Sequence, residues 1–131
     1  MSNNNKVVWL KRILAVKVIL CFLLWGIPSL LAPLAIFPTL GAPMPDDPIY
    51  QSSLGAVVIA FGVAYWYAYK DPVHNIAIVK TGVVDNGLAT LVTLYFVIFR
   101  DLKSIVMLVS GLLTLFFFVS FILFMPKTEV A

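Results

Sequence analysis

Four long apolar stretches, separated by shorter polar connections, dominate the hydrophobic pattern of the chain. They cover residues 12–32, 51–69, 77–99 and 104–125. Each is close to the roughly 20 residues that a helix needs to cross about 30 Å of hydrocarbon. Backbone groups in a bilayer must be paired within their own segment, which favours helices. The pattern therefore predicts an all-α fold with one domain over residues 1–131, an antiparallel bundle of four transmembrane helices.

The third stretch carries its polar side chains on one side. At about 100° per residue, small and polar residues form a single stripe: Thr81, Gly82, Asp85, Asn86, Ala89, Thr90 and Thr93. A helix in lipid turns such a stripe toward other helices, where polar groups find partners. Lys80 lies on the opposite side, and we expect its amine to reach the membrane surface.

Small residues also recur every four positions along the second stretch, from Ser52 to Ala68. This repeat is typical of close helix–helix contact in membranes. The candidate helix-packing ridge consists of Gly55, Ala56, Ala60, Gly62 and Ala64. The fourth stretch has phenylalanines all round its second half, which predicts a largely lipid-facing helix.

The remaining segments are predicted to be irregular. Residues 1–11 have the composition of a polar tail, and residues 33–50, with five prolines, predict an irregular extracytoplasmic loop. Pro28 lies inside the first stretch and should kink that helix or end its regular part.

Composition agrees with a membrane protein. The 131 residues are 62% hydrophobic and 11% charged, whereas a soluble domain has about 25% charged residues. The net charge of +3 comes from basic residues near segment ends, without a basic patch of the kind that binds nucleic acid. The lipid bilayer is therefore the expected partner. Five basic residues on the side of the termini against two on the other predict that both termini are cytoplasmic.

Candidate chemistry is sparse. One cysteine, Cys21, and one histidine, His74, exclude an internal disulfide, a CxxC redox pair and a bis-histidine haem site. The sequence contains no nucleophile–base set, metal-ligand set or phosphate-binding loop. We therefore expect a protein that is not an enzyme and that has no cofactor or bound metal.

A candidate intramembrane polar cluster comprises Asp85, Asn86, Lys17 and Tyr65. At about 1.5 Å per residue, Asp85 lies roughly 4–5 Å, and Lys17 and Tyr65 roughly 7–8 Å, to the cytoplasmic side of their helix centres. A Lys17–Asp85 ion pair is therefore possible. In the alternative, Lys17 faces lipid, because the small residues of the first helix lie on its other side.

Short motifs resemble those of small bacterial four-helix membrane proteins of the DoxX-like and BphX-like groups. The residues that carry the resemblance are Trp25-Gly26-Ile27-Pro28, Leu54-Gly55 through Phe61-Gly62, and Asp71-Pro72. The resemblance implies a four-helix bundle in a bacterial inner membrane, without catalytic residues. Small multidrug exporters are similar in size, but they depend on a glutamate in the first helix, where this chain has Lys17.

These features predict a packing or assembly partner in a membrane complex, either a homo-oligomer or a subunit beside other membrane proteins. The ridge on the second helix is the basis for this hypothesis. The alternative is a small proton-coupled transporter or a ligand-binding membrane protein that uses Asp85.

Overall fold

The computed structural model describes residues 2–31, 38, 46–101 and 104–126. Within these ranges every regular element is a helix, and four of the helices are long and apolar enough to cross a membrane. They are α1 (Asn3–Leu30), α2 (Pro48–Lys70), α3 (Ile76–Phe99) and α4 (Ile105–Phe124). The predicted all-helical class and the four long apolar helices are confirmed.

The prediction of a polar N-terminal tail is wrong. Helix α1 begins at Asn3 instead of residue 12, and Ser2 caps it by accepting a hydrogen bond from the backbone N–H of Asn5 at 3.3 Å. A serine at this position satisfies one of the N–H groups that the first turn leaves unpaired. Polar composition alone did not indicate this helix, because polar residues are compatible with a helical turn that is capped in this way.

The predicted C-terminal boundary of the loop over residues 33–50 is wrong, because residues 48–50 are helical. Helix α2 begins at Pro48, and the carboxylate of Asp47 accepts the backbone N–H of Ile49 at 3.1 Å. Proline is favoured in the first turn of a helix because its fixed φ angle suits the helix and its missing N–H would be unpaired there anyway. Residues 33–37 and 39–45 of the predicted loop lie outside the described residues.

A π-helical segment, Cys21–Gly26, interrupts α1. The backbone N–H of Ile27 bonds to the carbonyl of Phe22, five residues back. Proline has no N–H, and its ring clashes with the carbonyl four residues earlier, so a wider turn before Pro28 relieves the contact. The helix then continues to Leu30, and the irregularity expected at Pro28 lies in the turns before it.

Helix α1 packs against both α2 and α4, α3 packs mainly against α4, and the contact between α2 and α3 is small. The core includes Leu14, Tyr65, Phe117 and Phe121, each no more than 1% exposed. The expectation of a lipid-facing second half of α4 is therefore wrong for Phe117 and Phe121. These two residues are four positions apart and so share one side of the helix, whereas Phe116 is 53% exposed.

A short turn joins α2 to α3. Asp71 accepts hydrogen bonds from the backbone N–H of His74 at 3.2 Å, and its other oxygen lies 2.6 Å from His74 Nδ1. The backbone N–H of His74 is the main cause that lowers the pKa of Asp71 below its ordinary value. Asn75 donates to the carbonyl of Asp71 at 2.9 Å, so the turn is held by its own polar groups.

Candidate functional site

Lys17 is buried between the helices, with 4% of its surface exposed. Its ammonium donates a hydrogen bond to Oδ1 of Asn86 at 2.7 Å. The amine also lies 4.7, 4.8 and 5.6 Å from the ring centroids of Phe117, Trp25 and Tyr65. Aromatic faces attract a cation, and more strongly where water is excluded. One amide oxygen and three rings therefore surround the amine.

The four predicted residues of the polar cluster lie together, but with different partners from those expected. Tyr65 donates its hydroxyl proton to Oδ2 of Asp85 at 3.3 Å. The amide nitrogen of Asn86 donates to the Gly82 carbonyl at 2.6 Å and lies 3.5 Å from the Tyr65 hydroxyl.

In the described part of the chain, Lys17 and Asp85 form no ion pair within 4.0 Å. The hydrogen-bond partner of Lys17 is the amide of Asn86 and not the carboxylate of Asp85. The reason is helical geometry: adjacent residues point about 100° apart, so α3 directs Asn86 to the Lys17 amine and Asp85 to the Tyr65 hydroxyl.

The alternative orientation, with Lys17 facing lipid, does not agree with its burial. Gly26 and Ser29 are buried as well, although in a regular helix they would lie on the side opposite Lys17. The π-helical segment between them has more residues per turn than an α-helix. It therefore changes the rotation between the two halves of α1, so that Lys17 and Ser29 both face inward.

Only part of the predicted ridge packs within the chain. Gly55 and Gly62 are buried against α1, and a Cβ at Gly55 would lie 2.8 Å from the Gly26 carbonyl oxygen. Ala56 and Ala60 are exposed, and Ala64 is partly buried. The glycines and the first two alanines therefore lie on opposite sides of α2.

A cavity of about 520 Å³ lies among the four helices. Most lining residues lie in the C-terminal half of α1 or α3 or in the N-terminal half of α2 or α4. Phe61 and Asp85 lie just on the other side of the middle of their helices. The lining residues are Lys17, Cys21, Leu24, Trp25, Pro28, Ser29, Gln51, Leu54, Val58, Phe61, Asp85, Ala89, Val92, Thr93, Val106, Met107, Ser110 and Thr114. Ligand pockets are typically about 300–1,000 Å³, mostly apolar, with a few placed polar groups. This cavity has that size and that lining.

Lys17 and Asp85 are the two charged residues of the lining, and each lies within one turn of the middle of its helix. Leu54 and Val92, from α2 and α3, also line it and are 51% and 57% exposed. The contact between these two helices is small. Part of the cavity lining is therefore exposed on the α2 and α3 side of the bundle.

Sequence reasoning did not find two hydrogen bonds in the cavity wall. Nε1 of Trp25 donates to Oγ of Ser110 at 3.1 Å, and Nε2 of Gln51 donates to Oγ of Ser29 at 2.9 Å. Each bond joins α1 to a different helix. A tryptophan well inside an apolar stretch was the available signal, because its N–H needs a partner when it is away from the membrane surface.

Comparison with protein-family models, curated proteins and solved structures found no match for the chain. The resemblance to the DoxX-like and BphX-like groups stays a prediction.

Proposed function

We propose that this chain is an integral membrane protein that binds a small, mostly apolar molecule in the cavity between its four helices. The supporting observation is the cavity itself, since a bundle of four helices usually fills its interior with side chains. A π-helical segment also forms part of its wall, and such segments occur frequently at functional sites. This proposal develops the ligand-binding alternative and assigns no catalytic residue or cofactor.

The proposed arrangement is an antiparallel bundle in a bacterial inner membrane, with both termini in the cytoplasm. The short Asp71–Asn75 turn between α2 and α3 supports antiparallel neighbours, and loop charges support the orientation. Most of the cavity then lies in the extracytoplasmic half of the membrane. Its exposed lining on the α2 and α3 side faces lipid, so a ligand dissolved in the bilayer reaches it without entering water.

Trp25 provides a direct test, because it is one of three tryptophans and it lines the cavity. In a variant with Trp9→Phe and Trp66→Phe, only Trp25 fluoresces. We expect bromoalkyl compounds, added to protein in bilayer nanodiscs, to quench this fluorescence with saturation.

Ala89→Phe should fill the cavity and weaken binding by about tenfold or more. Ala77→Phe, the same change at an exposed position of α3, is the matched control and should bind normally. Quenching that never saturates, or that is equal in the two variants, would refute the binding function.

Assembly is the second candidate function, and the exposure of Ala56 and Ala60 favours it. They are small, lie four residues apart, and face away from the α1 contact of α2. Small residues at this spacing let a second transmembrane helix approach closely. A second copy of the chain or another membrane subunit is the proposed partner.

A further inference from the structure

The charges in the cavity restrict what it can hold. Lys17 and Asp85 are the two lining residues whose side chains carry a full charge. One is a cation and the other an anion, so their formal charges sum to zero. A charged ligand would leave one unbalanced charge among the mostly apolar side chains of the lining, which is strongly unfavourable in a bilayer. The cavity therefore selects against both cations and anions.

Most polar groups of the lining already have partners within the protein. The Lys17 amine is bound by Asn86 and surrounded by rings, as described above. Thr93 donates its hydroxyl proton to the Ala89 carbonyl at 3.0 Å, and Thr114 donates to the Gly111 carbonyl at 2.8 Å. Each hydroxyl donates its proton to a backbone carbonyl of its own helix, so neither needs a hydrogen-bond acceptor from a ligand.

Asp85 differs from these groups. In the described residues its carboxylate accepts one hydrogen bond, from Tyr65 at the long distance of 3.3 Å. A carboxylate has about four acceptor positions, so most of its capacity is unused where it borders the cavity. A hydroxyl group is the matching end group, because it donates to a carboxylate and also accepts from a protonated carboxyl.

Resting on the proposed binding function, we infer that the ligand is an uncharged amphiphile whose hydroxyl end group bonds to Asp85. Its apolar body lies along Leu24, Val58 and Phe61 and leaves on the α2 and α3 side of the bundle. This chemistry is shared by aliphatic membrane alcohols and by aromatic alcohols such as phenols and quinols.

Four probes with one chain and different end groups test the inference, using the single-tryptophan variant in nanodiscs. They are the terminally brominated forms of dodecanol, dodecylamine, dodecanoate and dodecane. We expect dodecanol to bind at least about tenfold more tightly than each of the others. A bromophenol arm separates the two sources: tighter binding of bromophenol than of dodecanol assigns an aromatic ligand, and weaker binding assigns an aliphatic one.

Charge variants provide a second, independent readout. Asp85→Asn leaves a positive charge, so dodecanoate should become the preferred probe, while Lys17→Met leaves a negative charge and should favour dodecylamine. The double variant is neutral and should bind neither charged probe well. If a single variant does not fold, the selectivity of the wild-type protein among the four probes still decides whether the ligand carries a hydroxyl group.

Two failures are distinguishable. Saturating quenching with an amine or carboxylate as the best wild-type ligand, or with dodecane equal to dodecanol, overturns the hydroxyl inference and leaves the binding function standing. Quenching that saturates with none of the probes overturns both.

Discussion

At the scale of single residues, the unusual feature is how the protein accommodates a buried lysine. Two charges taken out of water lose more solvation than their attraction restores unless the geometry is excellent. Here the partner of Lys17 is the neutral amide oxygen of Asn86, at 2.7 Å, together with aromatic faces. The carboxylate of Asp85 therefore remains beside the cavity, where it is available to a ligand.

The Lys17–Asn86 hydrogen bond gives a residue-scale prediction. Asn86→Leu leaves the ammonium without its amide acceptor, so the free energy of unfolding should fall by about 2 kcal/mol. Adding Lys17→Met should recover more than half of the loss, because no buried charge then remains. Unfolding by SDS in mixed micelles measures both.

Lys80→Met is the control for this pair, because Lys80 is exposed. Its effect should stay within about 0.5 kcal/mol. Equal losses for Asn86→Leu alone and for the double variant would contradict the assigned hydrogen bond.

At the scale of helices, the contact between α1 and α2 depends on close backbone approach. A Cβ added at Gly55 would meet the backbone nitrogen of Leu30 and lie 2.8 Å from its Cα. Backbone atoms cannot rotate aside as a side chain can, so the two helices must separate. Gly87 differs, because a Cβ added there would meet a side chain: its nearest neighbour would be the ring of Phe118, at 3.0 Å.

Alanine substitutions at these two glycines should therefore change the free energy of unfolding by different amounts or in opposite directions. Gly55→Ala should lower the free energy of unfolding by about 1–3 kcal/mol through overpacking. Gly87→Ala should be neutral or stabilising by up to about 1 kcal/mol, because alanine favours a helix and the Phe118 ring can move. The same SDS titration compares them, and equal destabilisation would contradict the assigned α1–α2 contact.

At the scale of the whole molecule, the two proposed functions use different surfaces. The cavity lies between the helices, whereas Ala56 and Ala60 face outward from α2. A single chain can therefore bind a ligand and a partner at the same time. The two proposals are also tested separately, because a change on the outer face of α2 does not reach the cavity lining.

Assembly is tested by native mass spectrometry in a mild detergent. We expect a stable dimer or a co-purifying membrane subunit, and Ala56→Phe with Ala60→Phe should abolish it, since bulky rings prevent helix approach. Leu88→Phe with Leu91→Phe is the control, because these leucines are 58% and 63% exposed on α3, and it should leave assembly unchanged. A monomer without any bound chain would eliminate this function.

The four long apolar helices of the described residues, most of their ends and the all-helical class could be read from the sequence, because they depend on the length and hydropathy of local segments. The sequence also groups the four residues of the polar cluster, which the structure places near one another, since depth along a helix follows from its constant rise. The helical start at Asn3 was missed because a serine cap, and not composition, determines where α1 begins.

The partners within the cluster were decided by tertiary structure. Whether Asp85 or Asn86 meets Lys17 depends on how far α3 is rotated about its axis, and that rotation follows from packing against the other helices. Within α1, the π-helical turn before Pro28 changes the rotation of one half of the helix relative to the other. It thereby brings Lys17 and Ser29 to the same side. The cavity depends on all four helices together, because each of them contributes residues to its lining.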